Sequence, residues 1–280
     1  MKRILVATDF SREAENAVQT SIPIAKAFDA TIVLLHVLEV SSKDSFIVTG
    51  DTSLTDSLNI HEGLRLAHEN LNRSIALHGL DTGDLKVERY IRIGSSIEQI
   101  VKFVSKEAID FAIMGTKGSW GMNDILLGTS TDKLIRKIDL PVLSVNQVVS
   151  GEAFKKIVFP TTAENQETRL IDVIKQFQRA FKATIYLVRI NTPSNFLPDS
   201  ISHELLEKYG SDNGLINYQT QVYSSDMEEN GIREFADSVN GGIIAMSTSA
   251  HTGLRRIIEG SVTKEIVSHS KRPVLTMKMD

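Results

Sequence analysis

The residues best suited to chemistry lie between positions 113 and 130. Ile113-Met114-Gly115-Thr116-Lys117-Gly118 ends an apolar run, and Gly128-Thr129-Ser130 opens a stretch with helical spacing. Glycine lets the backbone approach a ligand closely. The first N–H groups of a helix have no partner in the helix and attract anions. The helix dipole adds about 0.3–1 kcal/mol per charge. Thr129 and Ser130 supply hydroxyl donors, and Lys117 a positive charge. The pattern is suited to cradling phosphate with no metal-ligand cluster. It is not a Walker loop, because no Gly-Lys-Ser/Thr stands at the required spacing. The dinucleotide fingerprint is absent too, since Ala7-Thr8-Asp9 follows the first strand.

The elements that must position this loop are written twice. Ile4-Leu5-Val6 returns as Ile157-Val158-Phe159, and Ala27-Phe28 as Ala180-Phe181, both at an offset of 153. Met114, Gly128 and Pro141-Val142-Leu143 return as Met246, Gly260 and Pro273-Val274-Leu275 at an offset of 132. The second copy is shorter in its middle, and the extra piece of the first is placed within Ser41–Asn59. The seam, Asn146–Phe154, shows no helical periodicity. The expected units are 1–147 and 154–280.

In the first copy, Ile4–Ala7, Thr31–Val37, Val87–Ile93, Phe111–Met114 and Pro141–Val145 read as strands. Helices are expected after Ser11, a fitting N-cap, over His61–His78, around Ile97–Val104 and over Thr129–Arg136. Buried strands alternating with helices predict an α/β fold, a Rossmann-like, doubly wound parallel sheet in each copy. The copies are expected to face each other about a pseudo-twofold axis. Pairing of Pro141–Val145 with Pro273–Met277 would hide two sheet edges. Ligands of such sheets bind beyond the carboxyl ends of the strands, at the switch point.

Composition narrows the function classes. The 280 residues carry a net charge of −4, with 41% hydrophobic and 24% charged residues. That composition suits a globular protein and gives no global attraction to nucleic acid or anionic membrane. With no cysteine, thiolate catalysis, disulfides and Cys-ligated metals are excluded. No signal segment is evident at Met1-Lys2-Arg3-Ile4, so a cytoplasmic setting is expected.

With these residues in view, the chain resembles the universal stress protein family in its tandem two-domain form. The family motif is Gly, two residues, Gly, nine residues, Gly, then Ser or Thr, and Gly115, Gly118, Gly128 and Thr129 fit it. The segments Ile4–Ser11 and Leu140–Val145 look like the family's first and last strands. The resemblance covers both halves. It implies an adenine nucleotide, ATP or else AMP or ADP, with magnesium or manganese bridging phosphates where a metal is present. By family pattern Asp9 and the backbone at Thr8 meet the nucleoside, and Val37 lines the adenine pocket. Gly115, Gly118, Gly128, Thr129 and Ser130 wrap ribose and phosphates, and Met114 before the loop belongs with them. The resemblance also implies stress-linked regulation, unidentified protein partners and self-association into a homodimer of tandem chains.

The second copy departs from the motif. Ser247 stands for Gly115, Ala250 for Gly118, Thr162 for Asp9 and Ile190 for Val37, while Gly260-Ser261 is kept. A Cβ where positive φ is needed costs about 1–2 kcal/mol. The expected protein is asymmetric, binding ATP in its first half only. A small anion near Gly260-Ser261, Arg255 and Arg256 is an alternative use of the second. Asp9 also reads as an Asx-turn acceptor. Trp120, the only tryptophan, reads equally as lid, interface anchor or plug. The seven histidines show no metal-ligand spacing. Three functions remain: a nucleotide-binding regulator, a slow ATPase, and a nucleotide-free scaffold with a vestigial motif.

Overall fold

The computed structural model describes residues 1–39, 52–116, 134–135, 137–164, 167–248, 262–263, 265–267 and 270–279, with backbone alone for 52–58. The first half runs β1 (Arg3–Thr8), α1 (Arg12–Phe28), β2 (Thr31–Leu38), α2 (Thr52–Leu77), β3 (Lys86–Ile93), α3 (Ser96–Lys106), β4 (Phe111–Gly115) and β5 (Val142–Val145). The second runs β6 (Lys156–Pro160), α4 (Thr168–Phe181), β7 (Thr184–Asn191), α5 (Asp199–Asp212), β8 (Tyr218–Ser224), α6 (Glu228–Ser238), β9 (Ile243–Thr248) and β10 (Val274–Lys278).

The strands form one sheet in the order β3-β2-β1-β4-β5-β10-β9-β6-β7-β8. Each half is parallel, and the halves meet where β5 and β10 pair antiparallel. Leu143 lies opposite Leu275, its own counterpart in the repeat. The pseudo-twofold axis therefore passes through that pair, and the two expected edge strands close each other.

The duplication extends to backbone shape where side chains differ. Positive φ recurs at Phe10 and Ala163, at Asp29 and Lys182, and at Ala108 and Asn240. None of these is glycine, so the turn geometry is held by surrounding contacts. Phe10 N donates to Thr8 Oγ1 at 3.0 Å, and Ala163 N to Thr161 Oγ1 at 3.1 Å.

Alternation along the strands divides the core. Ile4 and Val6 enter one cluster and Leu5 another. The first is continuous across both halves, under α1, α2, α4 and α5. The other face carries separate clusters, under α3 in the first half and α6 in the second. Phe28 meets Phe177 at 5.5 Å and Phe111 meets Phe177 at 5.6 Å, so aromatic rings join the halves. Such pairs contribute about 0.5–1.5 kcal/mol beyond area burial.

Two expectations are corrected. Residues 52–59 of the expected insertion are helical, because α2 starts at Thr52 and not at His61; it has 26 residues where α5 has 14. The rest of the insertion up to residue 51 lies outside the described residues. The seam is not free of helix, for Gly151–Lys155 forms a short 3-10 turn. One turn is too short to show periodicity, and burial of Phe154 against Phe181, 4.9 Å away, anchors it. Of the helix expected at Thr129–Arg136, Leu134 and Ile135 are helical and the rest lies outside the described residues. Among the described residues no helix is long and apolar enough to cross a membrane.

Candidate functional site

β1 lies between β2 and β4, where the crossovers change direction. Such a switch point opens a crevice at the carboxyl ends of the strands. Thr8, Asp9, Val37, Met114 and Gly115 all come from those three strand ends. Val37 and Met114 lie on the α3 face, where Ala7 joins them as an apolar corner. Gly118, Gly128, Thr129 and Ser130 lie outside the described residues.

Thr8 is buried and caps its own turn, while the Thr8 carbonyl meets His36 Nδ1 at 2.8 Å. His36 stacks on Phe10 with ring centroids 4.5 Å apart. Sequence reasoning missed this stack; the pairing of Thr8 with His36 across β1 and β2 creates it. Asp9 is exposed, and its Oδ1 accepts from Ser11 N at 3.0 Å. The Asx-turn reading of Asp9 is therefore correct as local geometry, and its other oxygen has no partner among the described residues.

Gly115 is glycine for a reason other than the expected one. Its φ is not in the left-handed region. A Cβ here would sit 2.7 Å from Ala14 N and closer still to the Glu13 carbonyl oxygen. Close packing of β4 on the first turn of α1 excludes a side chain. That turn is held by Ser11, whose Oγ accepts from Ala14 N at 3.2 Å.

The second half shows how the same position takes a side chain. Ser247 stands there, and α4 begins at Thr168, whereas the repeat offset would start it at 165. The N-cap position falls to Glu167, which makes no side-chain cap bond. Released from a helical turn, Glu167 is buried and accepts from Thr161 Oγ1 at 3.0 Å and from Tyr209 Oη at 2.9 Å, both at Oε2. The cleft at this point is lined by Pro160, Thr161, Thr162, Ile190, Met246 and Ser247, among others. These are the counterparts of Ala7, Thr8, Asp9, Val37, Met114 and Gly115. The switch point thus recurs in both halves, and the residues that stand at it differ in polarity.

Burial raises the Glu167 carboxyl above its ordinary value, against hydrogen bonds that lower it. Burial and the adjacent Glu167 charge push the Tyr209 phenol up, so it stays a donor. A carboxyl whose folded pKa exceeds its unfolded value of about 4.5 destabilises the fold above the folded pKa. This penalty is relieved as pH falls through the folded pKa towards 4.5. Glu167→Gln, which retains an acceptor for Tyr209 and Thr161, is expected to abolish that component. Urea unfolding of wild type and variant at several pH values reads the difference; identical pH profiles would refute the assignment.

The comparisons agree with this architecture. Two linked Rossmann-like α/β units, each with its own switch point, define the class of protein. The sequence pattern of the universal stress protein family matches residues 1–146 and again 153–278. The chain belongs to the universal stress protein family, in tandem form. It is 34% identical over 155 residues to universal stress protein MJ0577 of Methanocaldococcus jannaschii, covering 52% of this chain and 95% of that protein. A second relative from that organism, MJ0531, is 30% identical over 146 residues, covering 52% and 82%. The crystal structure of a universal stress protein from Archaeoglobus fulgidus superposes with a TM-score of 0.75 at 16% identity, over 99% of this chain and 98% of that one. At that identity the likeness concerns the fold.

Proposed function

We propose that this chain is an adenine-nucleotide-binding regulatory protein of the stress response, holding ATP in unit 1–147, with unit 154–280 carrying a degenerate motif. The observation that carries the reading is the convergence of Thr8, Asp9, Val37, Met114 and Gly115 on one switch-point crevice. Family membership and the spacing of Gly118, Gly128, Thr129 and Ser130 support it. The corner of Ala7, Val37 and Met114 fits an apolar, planar base. The free oxygen of Asp9 fits a ribose hydroxyl. The glycine loop would supply backbone N–H groups to the phosphates, and magnesium, where present, would neutralise them. In the second half Thr162 replaces Asp9, and the buried Glu167 adds a carboxylate that repels phosphate.

The test is calorimetric titration of nucleotide-stripped protein with ATP and magnesium. One site per chain is expected. Gly118→Ala and Asp9→Ala are each expected to weaken binding about tenfold, near 1.4 kcal/mol. No heat with ATP, ADP or AMP would sink the reading. Hydrolysis above background in the same samples would convert it to that of a slow ATPase.

A further inference from the structure

In the first half one histidine holds both neighbours of Asp9. The Thr8 carbonyl can only accept, so the ring nitrogen 2.8 Å from it, His36 Nδ1, carries the proton. The same ring stacks on Phe10, with centroids 4.5 Å apart and planes at 30°. Asp9 is thus flanked by a fixed carbonyl and a fixed ring, and its Oδ1 accepts from Ser11 N. His36 stands outside the apolar corner: Val37 packs with Ala7 and Met114 on the α3 face, whereas Phe10, under the His36 ring, packs on the core of the opposite face. In the second half Arg189 stands for His36, Ala163 for Phe10 and Thr162 for Asp9. Arg189 Nη1 donates to the Thr162 carbonyl at 3.0 Å and Nη2 to the Asn195 carbonyl at 3.1 Å. Ala163 has no ring and still holds φ at 62°, beside 63° for Phe10. The turn therefore forms without the histidine–phenylalanine pair, and the half that has the pair is the half that has a carboxylate between its two contacts.

We infer that His36 is a positioning residue for Asp9, and through it sets the preference of the first-half site for a sugar with hydroxyls over one without. The inference rests on the nucleotide reading above. The Nδ1–H fixes the Thr8 carbonyl and the ring face fixes Phe10, so the peptides on both sides of Asp9 are restrained. With Oδ1 on Ser11, the carboxylate presents its second oxygen in one place before a ligand arrives. Order already present in the free protein is not lost on binding, which favours affinity. A carboxylate so held accepts a sugar hydroxyl in a charge-assisted hydrogen bond. His36 does not touch the nucleotide in this assignment.

Calorimetry on the full chain compares ATP with dideoxy-ATP, which lacks both ribose hydroxyls. Wild type is expected to prefer ATP by about tenfold, the scale of one hydrogen bond to a charged group. Asp9→Ala is expected to remove the preference. His36→Phe keeps a ring against Phe10 and loses the donor. It is expected to remove most of the preference while dideoxy-ATP affinity stays within about twofold of wild type, and to weaken Asp9→Ala no further when the two are combined. Phe10→Ala, the change the second half already accommodates at this turn, is expected to lower the preference too. In nucleotide-free wild type, long-range proton–nitrogen NMR is expected to find the neutral His36 ring protonated at Nδ1. Protonation at Nε2 instead would overturn the inference without any variant. So would an unaltered preference in His36→Phe, or an equal loss for both nucleotides, which is what a merely structural role predicts. Failure of wild type to bind either nucleotide would sink the reading of the first half and this inference with it, whereas the other outcomes leave that reading standing.

Discussion

Gly115→Ser is expected to destabilise the protein by about 3 kcal/mol, the upper end of the usual 1–3 kcal/mol for overpacking. The atoms that would meet the new Cβ are the Glu13 carbonyl and the Ala14 amide of the backbone, which cannot swing aside as a side-chain tip can. Either β4 retreats from the sheet or the first turn of α1 unwinds. Unwinding would forfeit the Ser11 cap, itself worth about 1 kcal/mol. It would also displace Asp9, two residues before that cap. The denaturation midpoint should fall with little change in slope, and nucleotide affinity should fall with it. The reciprocal change, Ser247→Gly, should stay within about 1 kcal/mol of wild type, because α4 already starts late. A loss below about 1 kcal/mol in Gly115→Ser would show that this close approach does not constrain the site.

Gly242→Ala should have an effect as large, for a related reason at the seam. A Cβ on Gly242 would overlap the Ala153 carbonyl, and it would sit 2.9 Å from Ala153 Cα. Gly242 is pinned from its other side, since its N–H donates to the Lys156 carbonyl at 3.0 Å. The linker turn must therefore move, and Phe154 moves with it. Phe154 is fully buried and packs on Phe177 and Phe181 at 5.6 and 4.9 Å. About 3 kcal/mol is expected, or a fall of roughly 6–12 °C at the 2–4 °C per kcal/mol usual for chains approaching this size. Gly151→Ala is the control. Its Cβ would meet Pro23 at an ordinary 3.6 Å, so this variant should melt close to wild type. Equal melting of both variants would remove Gly242 from its assigned role.

Most of the architecture was legible because it depends on local pattern and on repetition. Apolar runs such as Ile32–Leu35 and helical spacing such as Ala14-Ala17-Val18 report burial directly. The two offsets, 153 and 132, located the repeat and the shortened middle. Hiding both last strands required pairing between halves, and β5 does lie against β10. The start of α2 was missed because polar residues such as Thr55, Asp56 and Asn59 give helical periodicity little contrast. The linker turn was missed because a single turn has no period to detect.

By itself, the sequence determined the fold class, the duplication, the family motif and the divergence of the second copy. These are properties of residue type and spacing along the chain. Only the tertiary structure decided why Gly115 has no side chain, where Glu167 lies and what it meets. Glu167 follows a run of polar loop residues and carries no sequence signal of burial. It shares a cleft with Ser247, 80 residues later in the chain, which stands where the other half has Gly115 packed on the first turn of α1. Such steric exclusion between segments distant in sequence exists only once the strands are assembled side by side.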